Sequence, residues 1–279
     1  MVACMFPGQG SQIKGMGADL FGEFPDITAQ ADEVLGYSLK KLCLEDPQNQ
    51  LNQTQYTQPA LYAVNALSYL KWRKSASQPT YVLGHSLGEY NALLAAEVFD
   101  FQTGLKLVKK RGELMQSVTG GAMAAIIGLS AEKISEILSR SHPTLSIANY
   151  NSHSQIVITG PKVNIDASKN DFENVGGLFF PLKVSGAFHS SYLKPLQEQY
   201  EAFLKQFNYA SPKLTVIANL TAAPYQSNNI ISNLSLQMIS PVQWTKSIEY
   251  LLLQGETEFI EIGPGKVLSG LIAKIRQSK

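Results

Sequence analysis

The sequence predicts an α/β fold in two parts, a large domain of alternating strands and helices interrupted by a small α+β unit. Three observations carry this expectation. The apolar residues switch repeatedly between a period of two and a period near 3.6. Short apolar runs break at glycine- or proline-containing turns before a helical stretch begins. Between residues 121 and 185 the order becomes strand-helix-strand-strand-helix-strand, the ferredoxin-like arrangement and a complete small fold in itself.

The elements follow in chain order. "VACMF" (2–6) reads as a buried strand that breaks into the glycine-rich loop "PGQGSQIKGMG". "PDITAQADEVLG" sets Ile27, Ala31, Val34 and Leu35 on one helical face, with Gly36 as the stop. "QPALYAVNALSYLKW" (58–72) predicts a helix with Pro59 in its first turn. "TYVLG" (80–84) is a second strand and "LGEYNALLAAEVF" a helix directly after it; residues 101–118 form a third helix. The small unit then runs as strand 123–128, helix 130–140, strands 145–149 and 155–160, helix 163–174 and strand 178–184. Helices at 190–207, 244–255 and 265–276 alternate with strands at 214–219 and 258–263. A ligand is expected in the cleft between the two parts.

A chain of 279 residues with 44% apolar content can bury a substantial core. Its 23 Lys and Arg against 22 Asp and Glu leave no basic excess, so neither nucleic acid nor an anionic membrane is an expected partner. Cys4 lies in the first strand and Cys43 is the second cysteine, which favours buried thiols over a disulfide. The longest apolar stretches are strand-sized, too short for a signal peptide or a span. The expectation is a soluble, cytoplasmic protein.

"GHSLG" (84–88) matches G-x-S-x-G in the context that motif needs, a strand before and a helix after. A sharp turn there would hold the Ser86 hydroxyl out of the sheet, beside free amides at the helix start. A serine needs a base, and there are four histidines. His85 adjoins Ser86, and neighbours on a tight turn point apart, so it reads as structural. His142, before Pro143 at a helix end, reads as solvated, and His153 lies in a turn of the small unit. His189 follows a strand and opens a helix at the carboxyl edge of a sheet, where α/β proteins place their sites; a helix start also keeps imidazole neutral. On the helix at 101–118, Arg111 shares the apolar face of Leu105, Val108, Gly112 and Met115. A guanidinium aimed inward needs an anion. That anion is either an Asp or Glu of the chain or a substrate carboxylate held as a fork.

"FPGQGSQ", "TQPAL", "GHSLGEY", "RGELMQ", "GGAMAAIIGL", "GAFHS", "SPVQWTKS" and "EIGPGKVLSGL" occur in this order over nearly the whole chain. The set resembles the malonyl-CoA:acyl-carrier-protein acyltransferases of bacterial fatty-acid and polyketide synthesis. The resemblance implies an α/β-hydrolase-like large subdomain (1–120 and 186–279) with an inserted ferredoxin-like subdomain (121–185). It implies Ser86 as nucleophile and His189 as its base, oriented by a main-chain carbonyl expected at Gln243. It implies that Arg111 grips the malonyl carboxylate, with Met115 and Phe188 beside the substrate and the Phe188 ring limiting room for an α-branch. The opening loop lacks the G-K-[ST] of a phosphate loop, and Ile13 stands where G-x-G-x-x-G needs its third glycine. By resemblance its work is an oxyanion hole made by the backbone N–H groups of Gln9 and Leu87. No metal or redox cofactor is expected. Malonyl-CoA is the expected substrate, an acyl carrier protein bearing phosphopantetheine the expected partner. With no ketosynthase or carrier segment in the chain, it is expected to act in trans for polyketide assembly. Fatty-acid synthesis and an editing hydrolase acting on carrier-bound acyl groups are the alternatives.

Overall fold

The computed structural model describes residues 2–184 and 186–277. The first run of apolar residues forms strand β1 (Val2–Phe6), followed by helices α1 (Pro25–Leu35), α2 (Leu39–Leu44) and α3 (Thr54–Arg73). Strand β2 (Tyr81–Gly84) leads into α4 (Gly88–Ala95), and α5 (Phe101–Gln116) follows. The middle of the chain gives β3 (Gly121–Ile127), α6 (Ala131–Ser141), β4 (Ser146–Ser152), β5 (Gln155–Pro161), α7 (Lys162–Glu173) and β6 (Leu178–Pro181). The remainder gives α8 (Lys194–Leu204), β7 (Thr215–Ile217), α9 (Ile230–Gln237), α10 (Trp244–Leu253), β8 (Glu258–Glu261) and α11 (Val267–Gln277).

The large sheet has the order β7-β2-β1-β8 and is parallel throughout. A parallel sheet is covered on both faces, and β1 shows why. Cys4 and Phe6 join a core with residues of α3, α4 and α5, while Ala3 and Met5 point the other way, onto Trp244 and Ile248 of α10 and Leu268 of α11. The small sheet, order β4-β5-β3-β6, is antiparallel. One face buries Ile126 and Ile158 against Ile134 and Ile137 of α6 and Phe172 of α7. The opposite pleat, with Met123, Ala125, Ala148 and Val157, sinks into the large core. The edge of β4 is extended by a parallel bridge between Asn149 and Val242: the Val242 N–H donates to Ala148 O and the Val242 carbonyl accepts the Tyr150 N–H, each at 2.9 Å.

Three features of the fold differ from what the sequence predicts. Helix α3 starts at Thr54, so Pro59 lies inside it rather than in its first turn. The one N–H that Pro59 lacks is tolerated because the residues around it, 57–67, are all buried and packing holds the helix. Helices α2 and α9 were not expected; both are short. The boundary expected at residue 185 falls outside the described residues, as do residues 1, 278 and 279; the strands and helices of the small sheet occupy Gly121–Pro181. Among the described residues no helix is long and apolar enough to cross a membrane.

Candidate active site

The site begins with the turn between β2 and α4. A Cβ on Gly84 would collide with the Gly88 carbonyl, and one on Gly88 with the Phe6 carbonyl. Glycine at both positions therefore lets helix and strand meet at close range. Ser86 at the apex has φ of 50°, a left-handed conformation that costs a non-glycine residue free energy. Asn219 clamps the turn: its Oδ1 accepts the Ser86 N–H at 2.7 Å, and its Nδ2 donates to Gly84 O at 2.6 Å.

His189, also at positive φ (58°), brings its Nε2 to 2.8 Å from Ser86 Oγ. Its Nδ1 lies 2.8 Å from the main-chain oxygen of Gln237. A carbonyl can only accept, so Nδ1 carries the proton and Nε2 is the free acceptor for the serine hydroxyl. Burial first and the Arg111 cation second push the imidazole down to about 3. The ring is thus held neutral, the form in which Nε2 can accept a proton.

The carbonyl on His189 belongs to Gln237, not to Gln243 as expected. Gln243 precedes α10; its N–H donates to Asn219 O and its own carbonyl accepts both the N–H and the hydroxyl of Ser247 at 2.9 Å. It is already engaged as the start of a helix, and α9 carries Gln237 to the imidazole instead.

Arg111 is 1% exposed. Its Nη1 donates to Gln58 Oε1 at 2.8 Å, and its Nη2 to Gln237 Oε1 at 2.8 Å and to Ser86 Oγ at 3.1 Å. The face of Tyr90 lies 5.8 Å from the guanidinium carbon. Among the described residues no carboxylate forms an ion pair with it. A small cavity of about 90 Å³ opens in front of it, lined by Gln9, Gln58, Ser86, Met115, Phe188 and His189 and roofed from the small sheet and its exit by Met123, Asn149, Leu182 and Val184. The site therefore sits between the two parts of the molecule.

A Cβ on Gly8 would strike the His85 carbonyl, so the opening loop lies tight against the Ser86 turn. Among the described residues no protein acceptor takes up the backbone N–H of Gln9 or of Leu87. The other histidines stand apart from this chemistry. His85 lines the same cavity, but its ring bonds Asn151 at 2.8 Å beside Trp244. His153 is half-exposed against Glu249. His142 is more covered than expected, its ring paired with Asp171 at 2.7 Å. Among the described residues no group of three His, Cys, Asp or Glu is placed to hold a metal.

Residues 4–278 match the family model of the acyl transferase domain. The chain belongs to the acyl transferase domain family. It is 52% identical over 281 residues, 99% of this chain and 97% of the relative, to the polyketide biosynthesis malonyl CoA-acyl carrier protein transacylase BaeC of Bacillus velezensis. It superposes with a TM-score of 0.97 on a malonyl CoA-acyl carrier protein transacylase from Burkholderia pseudomallei, at 48% identity, covering 100% of this chain and 99% of that one. A type II PKS acyl-carrier protein in complex with its malonyl-transacylase, PlMCAT:AntF, gives 0.94 at 38% identity, covering 99% and 93%.

Four residues of this acyl transferase site were not singled out from sequence: Gln58, Glu89, Asn219 and Gln237. Gln58 and Glu89 lie inside the quoted stretches "TQPAL" and "GHSLGEY", so position beside the motif was the available signal. Asn219 and Gln237 act from a loop end and a short helix with no motif around them.

Proposed function

We propose that the chain moves a malonyl group from malonyl-CoA to the phosphopantetheine thiol of an acyl carrier protein, through an ester on Ser86. The observation that carries this is Arg111. It is a buried cation bonded to neutral oxygens and open to the cavity that holds the serine hydroxyl. A buried guanidinium without an anion is costly, and a ligand carboxylate held by its fork offsets that cost. Malonyl carries such a carboxylate at its far end, acetyl does not.

The steps follow from the hydrogen bonds. His189 Nε2 takes the Ser86 proton as Oγ attacks the thioester carbon. The amides of Gln9 and Leu87 face the developing oxyanion. The C–S bond breaks, and His189 returns its proton to the departing CoA thiolate. The phosphopantetheine thiol then gives its proton to His189 and attacks the ester, and Ser86 leaves with that proton. Gln237 O keeps the imidazole in the required tautomer. Met115 and Phe188 wall the acyl pocket. The chemistry uses no metal or redox cofactor. The polyketide role rests on the likeness to BaeC. A cytoplasmic setting belongs to the same proposal, in keeping with two cysteines that stay as buried thiols.

Intact-protein mass spectrometry after mixing with acyl-CoAs tests this reading. Wild-type protein should gain one malonyl group, reversed by holo carrier protein, and Ser86→Ala should gain none. A malonyl adduct on the Ala variant would move the nucleophile elsewhere.

A further inference from the structure

Glu89, the second residue of α4, is 1% exposed; its N–H donates to Ser86 O at 3.1 Å, and the hydrogen bonds to Ser86 Oγ and to the His189 ring come from other residues. Three donors converge on it. Its Oε1 accepts the N–H of Asn219 and the hydroxyl of Tyr225, each at 2.8 Å, and its Oε2 accepts from Gln237 Nε2. The same Gln237 amide donates to Ser86 O at 2.9 Å and, with its oxygen, accepts from Arg111 Nη2. Burial pushes the Glu89 carboxyl up to about 7, while the three donors and the Arg111 cation favour its ionised form, and one amide separates it from that buried cation. We propose that Glu89 is a positioning residue that, through the side-chain amide of Gln237, aims the Arg111 guanidinium at the acyl pocket and so sets the preference for a carboxylated acyl group. The inference rests on the reading of Arg111 as a carboxylate clamp.

Donor and acceptor parity fixes which way the Gln237 amide faces. A primary amide has one accepting end and one donating end. All three groups that face the Glu89 oxygens are donors, so Glu89 serves as an acceptor here and draws Gln237 Nε2 toward itself and toward Ser86 O. That leaves Gln237 Oε1 with one direction to face, the Arg111 side. Turned over, the amide would set its NH2 against the guanidinium donors and its oxygen against both Glu89 and Ser86 O. The intervening amide also explains how the arrangement leaves the cation available. A carboxylate placed directly on Arg111 would occupy the fork and compete with the substrate, whereas Gln237 holds one Nη2 proton with a neutral oxygen. The imidazole is oriented by the backbone oxygen of Gln237, not by its side chain. Removing the side-chain amide therefore leaves in place the carbonyl that orients His189.

Glu89→Gln tests this with a side chain of nearly the same shape. The two donors on Oε1 are best served by keeping an oxygen there, which turns the new NH2 toward Gln237 and drives its amide to flip. Gln237→Met is the companion variant: it deletes the amide and keeps the backbone carbonyl. Each is measured for kcat/KM with malonyl-CoA and with acetyl-CoA, for the rate at which a neutral fluorophosphonate labels Ser86, and for its melting temperature. Arg111→Ala is run in the same assays. The expected result is a fall of about 10- to 100-fold in the malonyl-to-acetyl ratio for both variants, with fluorophosphonate labelling slowed far less than malonyl loading. If Glu89→Gln does not fold, Gln237→Met carries the test. A wild-type ratio in the folded variants, where Arg111→Ala collapses it, would overturn the proposal. So would equal losses for malonyl, acetyl and fluorophosphonate, which mark structural support only. A wild-type ratio in Arg111→Ala itself would instead overturn the clamp reading, and this inference with it.

Discussion

A serine hydroxyl becomes a nucleophile only where a neutral base can take its proton, and His189 is kept neutral by two agents that both disfavour its charged form. Burial is the larger and the Arg111 cation the second; together they set the imidazole near 3. A depressed pKa means the free base is present at all pH values well above that number and is lost only as pH falls through it. The rate of Ser86 labelling by a neutral fluorophosphonate should therefore be flat from about pH 5 to about pH 8. An acid limb centred near the ordinary imidazole value of about 6.5 would contradict this setting. Ser86, His189 and Arg111 were legible because each is a distinctive residue type in a distinctive place. The carbonyl that orients His189 was not. A main-chain oxygen has no residue-type signature, so the expectation fell on Gln243 when the fold supplies Gln237. Glu89 was hidden differently: an acidic residue in the first turn of a helix ordinarily reads as a favourable dipole partner, and only its burial and three donors show otherwise.

Elements were read best where period and punctuation agree. Strand β2, the Ser86 turn and α4 announce themselves through "GHSLG". The eight-residue α9 does not: its sequence "IISNLSLQ" is laced with Ser and Asn, which compete with helix by bonding their own backbone. Tertiary contacts hold it. Asn233, Leu234 and Ser235 are buried, and the Ser235 hydroxyl is bonded by Gln197 of α8. The start of α3 was misplaced because Pro59 is a usual first-turn residue, whereas here it is carried by packing. The strand-to-helix turn yields a direct prediction. Gly84→Ala forces a methyl group into the Gly88 backbone, which cannot yield without moving α4. Destabilisation of about 3 kcal/mol or more should follow, lowering the melting temperature by about 6–12 °C. A melting temperature within a degree or two of wild type would mean the close approach is not as tight as described.

At the scale of the molecule, the sequence showed the order of elements and the intervening strand-helix-strand-strand-helix-strand unit, because both are periodic patterns. It did not show that the inserted sheet is buried on both faces. Small residues such as Ala125 and Ala148 fit either a solvated or a packed pleat, and only the fold places them in the large core. That burial, with the bridge at Val242, ties the two parts together. Calorimetry should accordingly show one cooperative transition rather than separate melting of the small unit. Two resolved transitions would contradict the shared core.

The cavity between the two parts gathers Ser86, His189 and Arg111, and under the proposed function the arginine decides what the site accepts. A partly desolvated guanidinium–carboxylate pair contributes about 2–4 kcal/mol to transition-state binding, or about 30- to 1000-fold in kcat/KM. The most direct measurement is kcat/KM for malonyl-CoA and for acetyl-CoA, with holo carrier protein as acceptor, in wild type and in Arg111→Ala. The substitution should lower the malonyl value by about that factor while the acetyl value holds or rises, since acetyl leaves the cation unpaired in the wild-type protein. Equal losses for the two thioesters would make Arg111 a structural cation and contradict the account.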